Sequence, residues 1–335
     1  MRILHTQTFP RWIRDLFQVE FDKAGIDVAW AEDGPDGHWK NFADDIQVLL
    51  TSKKHIDREL MCSFPNLALI QVQGRAPWAV DWRAAKEAGI PVSVLPHRGA
   101  IAVAEQTLSL MLGCYRRLID GHVGTRDGSY LDFNVEPSRT DERKIAVNWL
   151  KFDDVRQLHG KTLGLIGLGD IGIEVARRAQ AFDMEVLYTK RSPLSREYEA
   201  QTDVSYLEFE ELLQASDFVS LHAPHTSKTE KIIDARALDL MKSSAVLINT
   251  ARGGLVDEEA LVSALQKGSI GGAGLDAFLY EPLPKEHPLV SCGNVLLSPH
   301  VGGGTGGGQK GIMSDVINNL ELLRSKSEPK GLVNI

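Results

Sequence analysis

The sequence predicts an α/β fold built of two doubly wound parallel-sheet domains. Two observations carry this. Short β-branched runs alternate with helical stretches, the βαβ pattern of a parallel sheet, and the pattern occurs twice, once before residue 100 and again after residue 160. In the second copy an apolar run is followed by Gly167-Leu168-Gly169-Asp170-Ile171-Gly172 and then by a helical segment. A chain of 335 residues, 43% of them hydrophobic, has ample length for two domains.

In chain order, Met1 to His5 reads as a first strand, followed by strands at Ile46–Leu50, Leu67–Val72 and Pro91–Leu95. Asp81 to Gly89 reads as a helix stopped by its glycine. Ala102 to Val123 reads as one long helix, with Leu108, Met111, Leu112, Tyr115, Leu118 and Ile119 on one side, and is a candidate bridge between domains. A polar stretch, Leu131 to Lys144, is longer than an ordinary connection and reads as an insertion. The second series has strands at Thr162–Ile166, Glu185–Thr189, Asp217–Leu221, Ala245–Asn249, Gly272–Leu275 and Val295–Ser298, with a helix over Ile171–Phe182. The glycine-rich stretch Val301–Gly308 reads as a flexible loop or a hinge, and Ile312–Leu323 as a last helix.

A net charge of −8 and a pI near 5.7 argue against a general nucleic-acid or membrane-surface binder. No apolar run reaches the roughly 18 residues of a membrane span. The N-terminus lacks the pattern of a signal peptide, so a cytoplasmic location is expected. Three widely spaced cysteines, Cys62, Cys114 and Cys292, form neither a disulfide framework nor a metal-ligand spacing, and no metal is expected.

Four segments carry the chemistry. The fingerprint follows Leu163-Gly164-Leu165-Ile166 and opens a helix, the context of a dinucleotide site: Gly167 for the tight turn, Gly169 for close approach of a pyrophosphate, Gly172 for helix–strand packing. At the end of the next strand, Thr189-Lys190-Arg191-Ser192 offers two cations and two hydroxyls, where a site for NAD usually has an acid. That composition suits a 2′-phosphate, hence NADP(H) with NAD(H) as the alternative; a solvated basic turn gives the same residues. Arg252 follows the strand Ala245–Asn249, where its guanidinium can hold a carboxylate with two parallel bonds, or close a turn at the surface. His300 follows Val295–Ser298 and precedes glycines; an imidazole there can give or take the proton that accompanies hydride transfer. His97, after another strand, is its rival. Glu281 before Pro282 is the natural carboxylate partner of His300, or a turn residue.

These segments, in this order, resemble the D-isomer-specific 2-hydroxyacid dehydrogenases. The resemblance covers nearly the whole chain and is most specific over Gly160–Gly164, Ile248–Asp257, Ala273–Phe278, Glu281–Pro284 and Ser298–Gly303. It implies a Rossmann-type cofactor domain inserted in a flavodoxin-like substrate domain: residues 1–99 and 302–335 for substrate, 100–301 for the dinucleotide. It also implies a triad of Arg252, Glu281 and His300, Asp276 near the nicotinamide carboxamide, and cofactor contacts from Asp170, Ile171, Thr250, Ala251 and the Pro224 turn. Within the family, Leu187–Pro193 looks most like the NADPH-dependent glyoxylate/hydroxypyruvate reductases. A homodimer formed through the fingerprint domain is implied as well.

Two departures stand out. The substrate loop reads Gly74-Arg75-Ala76-Pro77-Trp78, without the usual pair of glycines. Gly74, Arg75 and Ala76 can still hold a substrate carboxylate by their backbone, while Arg75 and Trp78 alter the pocket by charge and bulk. The other departure is the insertion at Leu131–Lys144. The expected activity is hydride transfer between NADP(H) and a 2-keto acid/D-2-hydroxy acid pair such as glyoxylate or hydroxypyruvate. The competing expectations are a nucleotide-sensing regulatory or scaffold protein on the same fold, and a dehydrogenase of a non-hydroxyacid such as formate or phosphite.

Overall fold

In the computed structural model the described residues are 1–31, 38–52, 54–74, 79–141, 147–304 and 308–333. The chain divides into two compact units, Met1–Ala102 with Gly303–Ile335, and Val103–Gly302.

The first unit contains β1 (Arg2–His5), α1 (Arg11–Lys23), β2 (Asp27–Trp30), β3 (Ile46–Thr51), α2 (Arg58–Cys62), β4 (Leu69–Gln73), α3 (Trp82–Glu87) and β5 (Val92–Leu95). The strands form one parallel sheet in the order β2-β1-β3-β4-β5, the flavodoxin-like winding. Asp57 and Asp81 cap α2 and α3 by accepting the Leu60 and Ala84 N–H groups. Ile70, Val72, Leu49 and Ile56 fill the core on one side of the sheet, and Ile3, Val48, Leu50 and Leu69 fill the other. Burial on both faces is why β3 carries the unbroken run Val48-Leu49-Leu50, and in β4 it extends even to Gln71. The edge strand β2 was not legible in the sequence: it has four residues and begins with an exposed aspartate.

The second unit holds α5 (Leu118–Asp127), β6 (Thr162–Ile166), α6 (Asp170–Gln180), β7 (Glu185–Thr189), α7 (Arg196–Thr202), β8 (Ser205–Tyr206), α8 (Phe209–Ala215), β9 (Phe218–Leu221), α9 (Ala235–Leu240), β10 (Val246–Asn249), α10 (Glu258–Lys267), β11 (Gly272–Leu275) and β12 (Val295–Leu297). Its seven strands are all parallel, in the order β12-β11-β10-β9-β6-β7-β8. The direction of winding reverses between β6 and β9, and ligands of such sheets bind outside the carboxyl ends of the strands at that point. The two-residue strand β8 is a further element the sequence did not reveal.

The chain passes from the first unit to the second within α4 (Arg98–Tyr115) and returns just before the final helix, α11 (Gly308–Arg324). The single long helix expected over Ala102–Val123 is in fact two, α4 and α5. Arg117 adopts a left-handed conformation (φ 51°) between them, and its guanidinium pairs with Asp120 and Asp154. Leu108, Met111 and Tyr115 are buried, but Leu118 and Ile119 beyond the break are 61% and 52% exposed, so the apolar stripe does not continue into the core. The expected insertion starts with a 3₁₀ turn at Ser129–Phe133 and runs without regular structure to Asp141. Its remainder, and residues 305–307 of the expected hinge, lie outside the described residues.

Candidate active site

The second unit gathers five loops at the carboxyl ends of its strands, beginning with the fingerprint after β6. Gly167 takes φ +100°, and a Cβ there would stand 2.7 Å from the Ala223 nitrogen, so the turn presses on the backbone after β9. A Cβ on Gly172 would stand 2.6 Å from the Gly167 carbonyl oxygen, which keeps the helix tight against the strand. At Gly169 a Cβ would meet nothing within 4 Å. Gly169 is also the N-cap of α6, and no side chain caps that helix. An open backbone approach at an uncapped helix N-terminus fits a pyrophosphate.

At the end of β7, Thr189 accepts the Gly167 N–H through its carbonyl. The buried Tyr188 hydroxyl accepts the Leu194 N–H and donates to Glu199, pinning both ends of the turn that carries Lys190, Arg191 and Ser192. Lys190 is partly buried, and burial holds its ammonium below the usual lysine range; Arg191 and Ser192 are exposed. Together with the fingerprint, these residues fit a nicotinamide dinucleotide.

The third loop follows β10. Asn249 accepts the Ala251 N–H and donates to the Arg252 carbonyl, so one amide side chain shapes the turn. Thr250 is buried and shares a hydrogen bond with Thr107 of α4. Arg252 is exposed, with one guanidinium nitrogen donating to the Ala251 carbonyl. A Cβ on Gly253 would come within 1.9 Å of the Phe278 carbonyl carbon, so this turn lies directly on the backbone of the next loop.

That loop, after β11, brings in Glu281, and the loop after β12 brings in His300. The imidazole Nδ1 lies 2.7 and 2.8 Å from the two Glu281 carboxylate oxygens. Held this way, Nδ1 donates to the carboxylate and leaves Nε2 to exchange a proton. The two side chains are 39% and 38% exposed, so the pair is reachable. Burial alone would raise the Glu281 carboxyl. The Phe278 N–H, the His300 ring and the Arg252 charge outweigh it and hold the group below the usual carboxylate range. His300 itself takes a left-handed backbone conformation (φ 52°). Its turn is fixed by Asp276, which accepts from Ser298 Oγ (2.5 Å), Val301 N–H (3.0 Å) and Gly302 N–H (2.8 Å), and Ser298 is also held by Gln106.

The remaining residues named from the sequence sit elsewhere. Pro224 follows β9, and its carbonyl accepts from Thr229. Asp170 and Ile171 form the first turn of α6. Gly74 belongs to the first unit, just past β4, with φ +106° and its N–H bonded to the Leu95 carbonyl; Arg75, Ala76 and Trp78 lie outside the described residues. The rival His97 accepts the Ala100 N–H, a local role at the start of α4. Sequence reasoning gave no role to Asn249, Gly253, Glu258 or Ser298. A polar residue closing an apolar strand was the available signal for Asn249 and Ser298. Glu258 looked like any first-turn acid of a helix.

A family model for the D-isomer-specific 2-hydroxyacid dehydrogenase NAD-binding domain matches residues 108–302. Glyoxylate reductase of Thermococcus litoralis is 37% identical over 295 residues, 87% of this chain and 83% of that one. Hydroxypyruvate reductase of Thermotoga maritima is 34% identical over 279 residues, 82% of this chain and 83% of that one. Among solved structures, a glyoxylate reductase from Paecilomyes thermophila is similar with a TM-score of 0.57 and 30% identity, covering 99% of this chain and 98% of its own. The fold, the fingerprint and these likenesses agree: the chain belongs to the D-isomer-specific 2-hydroxyacid dehydrogenase family and is an NAD(P)-dependent oxidoreductase of that family.

Proposed function

We propose that the protein reduces a small 2-keto acid, with glyoxylate and hydroxypyruvate as first candidates, to the D-2-hydroxy acid, and that it prefers NADPH to NADH. The observation that carries the reading is the His300–Glu281 pair, with Nδ1 2.7 Å from the carboxylate and the Arg252 charge acting on the same carboxylate. His300 gives the proton to the substrate oxygen from Nε2. Glu281 keeps the ring in that tautomer and favours the imidazolium. Arg252 holds the substrate carboxylate. The bound nicotinamide supplies the hydride. Gly167, Gly169, Gly172, Asp170 and Ile171 receive the pyrophosphate, and Thr189, Lys190, Arg191 and Ser192 the 2′-phosphate. Thr250, Ala251, Pro224 and Asp276 complete the cofactor site. The Glu281 and Arg252 turns are joined at Gly253, which supports their acting as one unit.

NADPH preference is supported by the composition of the β7 turn, two cations and no acid from Thr189 to Ser192. A homodimer through the second unit is supported by the exposed Leu118, Ile119, Leu131 and Phe133 of α5 and the adjoining 3₁₀ turn. Light scattering at micromolar concentration tests it, and a monomer mass refutes it. Turnover of both reduced cofactors with glyoxylate, hydroxypyruvate, pyruvate and phenylpyruvate tests the reaction. His300→Ala should lower the rate about 100- to 10,000-fold with little change in NADPH binding. Near-normal turnover in that variant, or better use of NADH by the native enzyme, overturns the corresponding part.

A further inference from the structure

A second glutamate–histidine pair stands behind the first. Glu258, the first residue of α10, is a buried carboxylate, its side chain 9% exposed. Oε1 accepts the Leu279 N–H at 2.7 Å, and Oε2 faces His287 Nε2 at 3.3 Å. His287 Nδ1 in turn accepts the Leu289 N–H at 3.3 Å, so the ring proton belongs on Nε2 and points at Glu258. The preceding amide, Phe278 N–H, goes to Glu281 Oε1 at 3.1 Å. Two consecutive amides of one loop are therefore shared between two carboxylates, one from α10 and one from the loop itself. The same peptide is where Gly253 of the Arg252 turn makes its closest approach.

We infer that Glu258 and His287 are positioning residues for the acid–base pair: they fix the Phe278–Leu279 peptide and, through Phe278, the adjoining amide whose N–H holds the Glu281 carboxylate, with Glu281 oriented to His300. In this role the pair acts through the protein and not on the reacting groups. Its effect runs through Phe278, which joins the braced peptide to the one before it and whose own N–H to Glu281 is among the groups keeping that carboxyl ionised, with His300 and Arg252 as the charged groups acting on it. Loss of the brace loosens that amide and lets Glu281 take up a proton at higher pH. This inference rests on His300 and Glu281 being the acid–base pair.

The experiment compares Glu258→Ala, Glu258→Gln and His287→Ala with the native enzyme over a pH series, measuring kcat and KM for glyoxylate and the dissociation constant of NADPH. His300→Ala runs alongside. Glu258→Ala should lower kcat about 10- to 100-fold and move the acid limb of the kcat/KM profile to higher pH, with NADPH affinity within about threefold of native. Glu258→Gln keeps an oxygen for the Leu279 N–H and should recover most of the rate. His287→Ala should fall between them and shift the limb in the same direction; it serves alone if Glu258→Ala does not fold. A lower rate with an unmoved acid limb, no recovery in Glu258→Gln, or equal loss of NADPH binding overturns the positioning role. If instead His300→Ala retains turnover, the acid–base reading has failed, an outcome distinct from failure of the brace.

Discussion

The smallest unit of this site that can be tested singly is the carboxylate of Glu281. Three favourable partners outweigh its burial, so it stays ionised below the usual carboxylate range. Removing the charge while keeping the shape, in Glu281→Gln, withdraws the anion that favours the imidazolium. Reduction needs the protonated ring, so the basic limb of its kcat/KM profile should move to lower pH, and the maximal rate should fall about 10-fold or more. A profile superimposable on the native one would show that the carboxylate does not act on His300. Lys190 and Arg191 offer a second test. With both made neutral, the ratio of NADPH to NADH specificity constants should drop by about 10-fold or more, chiefly through KM for NADPH. An unchanged ratio would make the β7 turn an ordinary basic surface.

The elements differ in how readily the sequence discloses them, and the difference has physical causes. Central strands such as β6 and β10 are buried throughout or nearly so, and their unbroken apolar runs are visible in one dimension. Edge strands β2 and β8 have too few residues for any period to register. The break between α4 and α5 was hidden because apolar spacing continues through Leu118 and Ile119 while the backbone turns at Arg117. His300, Glu281 and Arg252 were legible because each follows a strand of the second unit and has a side chain suited to hydride chemistry. Their supports were not, since Asn249, Glu258 and Ser298 act through contacts between residues distant in sequence. The same holds in the first unit for Asn319 of α11. It is buried, donates to Gln71 and to Ser93, and accepts the Lys330 N–H at 2.6 Å. Asn319→Ala leaves these groups unpaired and should cost about 3 kcal/mol in unfolding free energy, read by urea denaturation. A loss below about 1 kcal/mol would mean water replaces the side chain.

At the scale of the whole molecule, each unit has, among the described residues, an imidazole that burial keeps neutral. His5 lies between Trp30 and Phe9, and the His222 ring shares a hydrogen bond with Ser220 Oγ just past β9; burial pushes both down to about 3. The sign follows from linkage. The unfolded chain binds protons at these rings from about pH 6.5 downward and the folded chain does not. Stability from this source is complete above pH 6.5 and declines as pH falls toward 3. At pH 5 each ring removes about 2 kcal/mol from its unit. The urea midpoint should therefore fall between pH 7.5 and pH 5, above the range where most carboxylates titrate, and His5→Phe should flatten the part due to the first unit. A midpoint constant across that interval would show that the rings already carry their protons in the folded state.

The three fingerprint glycines are required for different reasons, and this bears on how such chains diverge. At Gly167 and Gly172 a side chain would collide with the protein's own backbone, so folding itself polices those positions. At Gly169 the protein leaves the space open, and only a guest molecule can object to a methyl group there. A descendant that gave up dinucleotides would be free to drift at position 169 while still needing glycine at 167 and 172. The residue at that one position thus serves as a record of whether a lineage has gone on using its cofactor.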